Sequence, residues 1–256
     1  MLDNFKLFSV VPDSTKEEAL NPASNLIGQA FRGIAHKVLG PLVRYNIVKD
    51  EEMKDFTDNI RNKTDSVPIE NRDASMLGLA YKAVEDSSYQ LNSEEFRDMF
   101  SNLIAATVDN RKNNQVQPSF SSILKDLSPT DASLFKLIYE KKALAIVSVR
   151  VQNKSTNHGA EVILNVILLN DSEIHKQSSL NTLQRFGLIE IKPNADLIAR
   201  EYAEQYDRYQ NSIDFKRFEA ELPYQSSAGI SLDSIVLIKG SITSTPLGNE
   251  FGDVVI

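Results

Sequence analysis

The sequence contains no cysteine and no tryptophan, and its only histidines are His36, His158 and His175. The absence of cysteine excludes disulfide bonds, thiolate nucleophiles and zinc sites built from thiolates. The three histidines are too widely separated to form a paired-histidine metal motif on one helix. No Walker loop, Gly-x-Gly-x-x-Gly turn or Gly-x-Ser-x-Gly elbow is present either. We therefore expect no catalytic residues, no metal site, no cofactor and no small-molecule substrate.

The excess of acidic residues is shared evenly between the two halves of the chain. The 256 residues include 28 basic and 35 acidic side chains, which gives a net charge of −7. The first half, residues 1–128, has a net charge of −4, and residues 129–256 have −3. A nucleic-acid-binding domain normally shows a clustered positive field, which neither half has.

Long apolar runs are also missing. The longest, at 143–149 and 162–169, are far shorter than the roughly 20 residues that span a bilayer. The first residues lack the basic start and apolar core of a signal peptide. We therefore expect a cytoplasmic protein.

The first half of the chain has the 3.6-residue periodicity of amphipathic helices. Residues 1–20 are mixed and polar, and we interpret them as an arm. Residues 21–48 contain no acidic residue and predict a basic amphipathic helix, which Gly40-Pro41 should break or kink. Further helices are predicted over 50–65, 74–87, 93–108 and 118–127.

The second half changes in periodicity. Ser128-Pro129-Thr130-Asp131 is typical of a helix start, and this helix should continue to about Lys142. Alternating valines predict a strand at 145–151, while 162–169 fits either a strand or a short helix. The remaining predicted elements are a helix at 179–186, a strand at 188–192, one long helix at 197–221, a strand at 234–244 and a helix at 246–255.

The order of these later elements is the outline of a winged helix. In this interpretation 179–186 is the third helix, and 188–192 and 235–243 are the wing strands. The predicted fold class is therefore mainly α with a small α+β part. It divides into an N-terminal helical domain, residues 1–127, followed by a winged-helix-like domain, residues 128–256.

Several short motifs of this sequence resemble the abortive-infection alpha family, a bacterial family linked to phage defence. The matching segments are 67–72, 94–105, 117–132, 183–191 and 245–251. The resemblance covers about residues 24–256, and it departs from the family pattern at Gln117, where histidine is usual. It implies a role in defence and supplies no catalytic residue.

The segments 94–105 and 117–132 contain the candidate interaction residues Asn102, Pro118, Ser119 and Phe120. In the alternative interpretation Phe120 belongs to the core, while Asn102 and Ser119 cap helices or fix a loop. Asn102 is unusual because it is a polar residue on an apolar helix face. Such a side chain must find partners or cost about 1–3 kcal/mol.

Two other segments contain candidate contact residues. Gln184 and Arg185 lie on the predicted third helix, where they could contact DNA or protein. The zero net charge of residues 171–192 favours protein. In the basic helix, the candidates for contact with a membrane or a partner helix are Phe31, Arg32, Lys37 and Arg44. Three glycines in this helix favour ordinary packing instead.

We therefore predict a non-enzymatic phage-defence protein of the abortive infection type that acts through protein–protein contacts. Its partner would be a second copy or a phage or host protein. Two alternatives stay open: a winged-helix regulator that binds DNA, and a toxic effector that acts at a membrane surface through helix 24–48.

Overall fold

The structure, a computed structural model, describes residues 26–170, 172–226 and 229–256. The predicted arm, residues 1–20, lies outside these residues. The chain divides into two compact units. The first runs to Ala132 and also includes Glu250–Ile256, and the second is Ser133–Asn249. The predicted second domain begins at residue 128 and includes the end of the chain, residues 250–256.

Helices form the first unit, as the 3.6-residue periodicity predicted. They are α1 (Leu26–Arg44), α2 (Asp50–Asp65), α3 (Leu77–Ser87), α4 (Glu94–Thr107) and α5 (Phe120–Asp126). Their apolar faces meet in a core whose fully buried aromatic side chains include Phe56, Phe96, Phe100 and Phe120, together with Phe251 from the end of the chain. The burial of these large apolar surfaces is the main driving force for folding of this unit.

The predicted break at Gly40-Pro41 is wrong, because α1 continues through Pro41 to Arg44. Proline lacks a backbone N–H donor, but the residues after it still form backbone hydrogen bonds to the last turn of the helix. Tyr45 N donates to Pro41 O at 3.2 Å, and Ile47 N donates to Leu42 O at 2.9 Å. The helix then ends about one turn beyond the proline.

The second unit combines a sheet with shorter helices. Helix α6 (Pro129–Lys141) begins in the first unit and ends in the second, and α10 (Pro246–Val255) passes in the opposite direction. The elements between them are β1 (Ala143–Gln152), β2 (Gly159–Leu168), β3 (Glu173–Ile174), α7 (Gln177–Arg185), β4 (Ile189–Pro193), α8 (Arg200–Gln210), α9 (Ile213–Ala220), β5 (Tyr224–Gln225), β6 (Ser231–Leu232) and β7 (Ser234–Ser244).

Five strands form one antiparallel sheet in the order β3-β2-β1-β7-β4. The predicted wing strands do pair, since Ile191 on β4 lies opposite Ile242 on β7. However, β7 also pairs with β1 along the whole of β1, from Ala143 to Gln152. The fold is therefore mainly helical with a small antiparallel sheet, and the pair β4–β7 is part of that larger sheet.

One outer edge of this sheet is only partly covered. Strand β3 pairs with Ile167 and Leu168 alone, so within the described residues the rest of β2 has no strand on its outer side. The register of β2 against β1 is also irregular at two places, on either side of Val149. Near one of them Asn165 adopts a positive φ of 48° and donates its N–H to Ser148 Oγ at 3.0 Å.

The predicted long helix at 197–221 is wrong, because the chain forms two helices, α8 and α9. The break falls at Asn211-Ser212, where Ser212 Oγ accepts a hydrogen bond from Phe215 N at 3.2 Å and caps α9. A serine cap favours a new helix start over continuation. The break lets both helices pack their aromatic residues, including Tyr209 and Phe215, onto one face of the sheet around Val147 and Val149.

The motif Thr245-Pro246-Leu247-Gly248 begins α10. Thr245 Oγ1 accepts a hydrogen bond from Gly248 N at 2.9 Å, and Thr245 N donates to Leu188 O at 3.1 Å. Gly248 lies so close to the strand entry that an added Cβ would be 2.0 Å from Leu188 O. The glycine therefore allows the start of α10 to lie directly against the backbone at Leu188.

This close approach gives a first prediction. Gly248→Ala should destabilise the protein by about 1–3 kcal/mol, because the methyl group has no room against a backbone carbonyl. Gly33→Ala is the matched control, since an added Cβ within α1 meets nothing within 4 Å. Replacing a helical glycine by alanine there should stabilise by up to about 1 kcal/mol. Urea unfolding of both variants measures the difference, and equal effects of the two would contradict the proposed contact.

Candidate interaction site

A cavity of about 240 Å³ lies within the first unit, where α2, α4 and the end of the chain come together. Its polar residues include Lys63 at the end of α2, Asn102 in α4, and Arg111 and Lys112 in the turn after α4. Asp253, Val254 and Ile256 also line the cavity. The candidate residue Asn102 therefore lines this cavity.

Asn102 has partners for both ends of its side-chain amide. Its Nδ2 donates to Val255 O at 3.0 Å, and its Oδ1 accepts from Lys63 Nζ at 2.6 Å. Lys63 also forms an ion pair with Asp98. Asn102 therefore attaches the end of the chain to α4 through a hydrogen bond. The expectation that this polar side chain has hydrogen-bond partners is confirmed.

Phe120 contacts the same end segment from α5. Its ring is fully buried and meets the ring of Phe251 edge-on, with centroids 5.2 Å apart. Gln117 Nε2 donates to Glu250 Oε2 at 2.8 Å. We define the residues Glu250–Ile256, held in this way, as the terminal segment. Phe120 is therefore a core residue, and any partner would have to displace the terminal segment to reach its ring.

The two candidates between Gln117 and Phe120 are different in character. Pro118 and Ser119 are exposed, and Ser119 precedes α5 without a side-chain capping bond. They are near the terminal segment in sequence, but only Gln117 and Phe120 touch it through bonds or rings that the structure shows. Of the four predicted residues of this unit, the structure therefore links Asn102 and Phe120 through the terminal segment.

Asp109 is a buried acid of this cavity that is held by Arg111. Its two carboxylate oxygens accept from Arg111 Nε at 2.8 Å and from Arg111 Nη2 at 2.6 Å. These bonds hold the pKa of Asp109 below its usual value, although burial acts in the opposite direction. The pair therefore stays charged, and its bidentate geometry fixes the turn that leaves α4.

A second polar cluster, which was not predicted from the sequence, lies where α3 meets α5. Asp86 is buried, and it accepts hydrogen bonds from Lys82, from Ser121 Oγ at 2.8 Å and from Lys125 Nζ at 3.1 Å. Lys82 Nζ also donates to Ser121 Oγ at 2.8 Å and to Ser122 Oγ at 2.6 Å. The only sequence signal was the spacing of Lys82 and Asp86, which is common on exposed helix faces.

Burial by itself raises the pKa of Asp86, but the hydrogen bonds from Lys82, Ser121 and Lys125 outweigh it and leave the pKa lowered. The cluster is thus a set of mutually satisfied charges and hydroxyl groups. Among the described residues, no group of three or more histidine and acidic side chains is arranged to hold a metal ion.

The second unit presents a different surface, on α7 and β2. The outer side of α7 has a row of uncharged residues, the half-buried Gln177 and the exposed Asn181 and Gln184, followed by the exposed Arg185. Gln177 Oε1 accepts from Asn165 Nδ2 at 3.3 Å, which places the start of α7 beside β2. The predicted residues Gln184 and Arg185 are therefore both exposed on one helix of this unit.

The neighbouring strand β2 exposes apolar side chains. Val162 is 51% exposed and Leu164 is 48% exposed, and Leu164 directly precedes Asn165. We call Val162 and Leu164 the β2 apolar pair. Exposed apolar groups beside a polar, uncharged rim are typical of protein contact surfaces.

The candidates in α1 are only partly described. Phe31 and Arg32 have side chains that lie outside the described parts of the chain. Lys37 and Arg44 are exposed, whereas Leu39 is buried. Part of the apolar stripe of α1 therefore contributes to the core of the first unit. No helix among the residues that the structure describes is both long and apolar enough to cross a membrane.

These observations describe a protein with a helical unit and a unit built on one antiparallel sheet. The chain matches the model of the family described as Abortive infection alpha over residues 48–255, and it belongs to that family. The resemblance found in its sequence motifs is thus confirmed, although α1 precedes the matched range. Membership suggests a role in abortive infection, which is a form of defence against phage.

Other comparisons add little. No curated protein matches the chain. One solved structure that matches is an uncharacterized protein from the hydrocarbon-degrading marine bacterium Alcanivorax borkumensis SK2. It is 16% identical, and the match covers 57% of this chain and 94% of that one with a TM-score of 0.33.

The bonds of Asn102 give a second prediction. Asn102→Ala should destabilise the protein by about 1–3 kcal/mol, because it leaves Val255 O without its donor and Lys63 without one acceptor. Hydrogen exchange should show the largest loss of protection in the terminal segment. Asn114→Ala, at an exposed position in the loop before α5, is the control. Equal protection of the terminal segment in both variants would contradict its attachment through Asn102.

The Asp86 cluster gives a third prediction. Because the folded pKa is lowered, the ionised carboxylate stabilises the fold above its unfolded pKa of about 3.8, and this contribution disappears as pH falls through the folded value. At neutral pH Asp86→Asn should therefore cost about 1–3 kcal/mol. The difference from wild type should shrink as the pH is lowered below about 4.

Urea unfolding over a pH series measures this effect. The matched control is Asp126→Asn, which changes an exposed carboxylate nearby on α5. It should be within about 0.5 kcal/mol of wild type. A loss of stability in Asp86→Asn that is independent of pH would show that the charge of Asp86 has no part in it.

Proposed function

We propose that this abortive infection alpha protein acts in phage defence without catalysing a reaction, through contacts of its second unit with another protein. Family membership supports the defence role. The observation that supports protein contact is the exposure of the β2 apolar pair beside the uncharged row of α7. The partner would be a second copy of the chain or a phage or host protein.

The charges of the second unit favour protein over DNA. Arg185 lies over the ring of Phe186 at 4.9 Å, and Lys192 Nζ pairs with Glu190 Oε2 at 2.9 Å. Affinity for DNA depends mainly on cations that neutralise phosphates. The three cations of residues 171–192, which are Lys176, Arg185 and Lys192, are equalled in number by acidic residues, so this segment offers little of that attraction.

The polar clusters of the first unit support the non-enzymatic part of the proposal. Lys82, Asp86 and Ser121 satisfy one another, and the pKa of Asp86 is lowered, so this carboxylate is a weak base. A general base works best when its pKa lies near the operating pH. Four expectations from the sequence stay predictions. They are the winged-helix arrangement, the DNA-binding regulator, the membrane-acting effector and the cytoplasmic location.

The fourth prediction tests the β2 apolar pair. In bacteria that carry the gene and are protected by it, Leu164→Asp should abolish protection from phage, because a charge would be buried at the contact. Since Leu164 is exposed, the unfolding free energy should change by no more than about 0.5 kcal/mol. Plating efficiency and urea unfolding measure the two effects.

The matched control is Ile213→Asp, the same kind of change at a residue that is 80% exposed at the start of α9. It should keep protection. Full protection by Leu164→Asp would refute the proposed surface. Loss of protection in Arg185→Ala together with loss of salt-dependent duplex binding would instead support the DNA-binding alternative.

A further inference from the structure

The sheet of the second unit has two faces that differ in what covers them. On one face Val147 and Val149 of β1 pack against the aromatic residues of α8 and α9. Side chains alternate along a strand, so Arg150 lies on the other face. Arg150 is directly opposite Glu161 on β2 and Val236 on β7. Directly opposite side chains share a face, so these three residues form a row across what we call the second face.

Strand β2 contributes an unusual number of exposed side chains to the second face. Of residues 161–164, only Ile163 packs against the aromatic cluster of the opposite face. Glu161, Val162 and Leu164 are all exposed. A regular strand directs two of four consecutive side chains to each face. The two register shifts in the pairing of β2 with β1 account for the extra residue. The β2 apolar pair and one acid are therefore concentrated beside the central strand β1.

The second face has one charge of each sign in this row, and the two charges do not pair with each other. Arg150 Nη2 donates to backbone oxygens of the turn between β1 and β2, to Asn157 O at 3.4 Å and to Gly159 O at 3.2 Å. Glu161 is exposed and forms no ion pair with any residue that the structure describes. A guanidinium has five N–H donors, so these bonds leave Arg150 able to bind a carboxylate.

These features make the second face complementary to itself. In a contact with twofold symmetry the same patch of both copies takes part, and each pair of contacting residues occurs twice. A patch with one cation, one anion and exposed apolar groups therefore satisfies both charges when it meets a copy of itself. A partner with charge of one sign would leave Arg150 or Glu161 beside a like charge, which costs free energy. The charges thus favour a second copy of the chain.

We propose that the second face is the contact between two copies of this chain. Its apolar centre consists of Val162, Leu164 and Val236, which are 51%, 48% and 37% exposed. Arg150 of each copy pairs with Glu161 of the other copy. This inference rests on the proposed function and names its partner. Because the contact uses the side chains of a face, it does not require the backbone of β2 to pair with another strand.

Sedimentation of the full chain over a range of concentrations tests the contact. The wild-type chain should form a dimer in a proportion that rises with protein concentration. Leu164→Asp should raise the dissociation constant roughly tenfold or more, because it puts a charge into the apolar centre. Ile213→Asp, the same kind of change at an exposed position outside the second face, is the control and should dimerise as wild type does.

Charge reversal tests the ionic pairs. Arg150→Glu and Glu161→Arg should each weaken the dimer roughly tenfold or more, because like charges then meet twice in a twofold contact. An equimolar mixture of these two variants should dimerise as wild type does, since every ionic contact in a mixed dimer joins a glutamate to an arginine. Glu201→Arg, at an exposed position on α8, is the control for charge reversal and should leave the dimer unchanged. Circular dichroism checks that each variant is folded. Leu164→Asp and Glu161→Arg, both at exposed positions, test the contact even if Arg150→Glu does not fold.

A wild-type chain that stays monomeric at concentrations up to about 100 μM overturns the inference. A dimer that Leu164→Asp and Glu161→Arg leave unchanged also overturns it, because the contact would then lie elsewhere. A mixture of the two folded charge variants that stays monomeric refutes the pairing of Arg150 with Glu161.

Failure of this inference is distinct from failure of the proposed function. If wild type is monomeric but Leu164→Asp abolishes phage protection, the proposed surface stands and its partner is a phage or host protein. If Leu164→Asp abolishes the dimer but keeps protection, the dimer stands and the proposed function of this surface is refuted.

Discussion

The attachment of the terminal segment to α4 and α5 is the interaction on which the arrangement of the first unit depends. The chain leaves this unit in α6, builds the sheet, and returns in α10. Its last residues then fill the space beside Asn102 and Phe120 with a backbone carbonyl and an aromatic ring. The core of the first unit therefore contains contacts between residues far apart in sequence. It can be completed only after the whole second unit has been synthesised.

The same constraint applies to α10, whose two ends are held in different units. Thr245 and Gly248 start α10 against the backbone at Leu188, so its beginning is fixed in the second unit. Phe251 and Val255 fix its other end in the first unit. One short helix thus satisfies requirements from both units, and this accounts for a glycine where helix propensity alone would favour alanine.

The sequence predicted those features that local rules control. The periodicity of apolar residues located α2 to α5, and the proline and capping signals located the starts of α6 and α10. The need of Asn102 for partners was also predictable, because it follows from the chemistry of one side chain. The breaks were not predicted correctly: Pro41 does not end its helix, whereas Ser212 starts a new one, and each outcome is decided by hydrogen bonds to nearby residues.

The features that could not be predicted depend on contacts across the sequence. The cluster around Asp86 joins α3 to α5, and Gln205 meets Asn170 only because α8 packs beside the sheet. The spacing of these residues along the sequence does not indicate that they lie close together in the fold. The order of strands is a further example, since the pairing of β4 with β7 was expected but the place of β1 on the other side of β7 was not.

The irregular register of β2 has a consequence for the pairing of further strands with this edge of the sheet. A straight, uncovered edge strand with apolar side chains offers a template on which copies can add to one another as an extended sheet. The two irregularities and the left-handed Asn165 interrupt the even row of amide and carbonyl groups along β2. Such an interrupted edge is a poorer template for an added strand, even though Val162 and Leu164 are exposed on it.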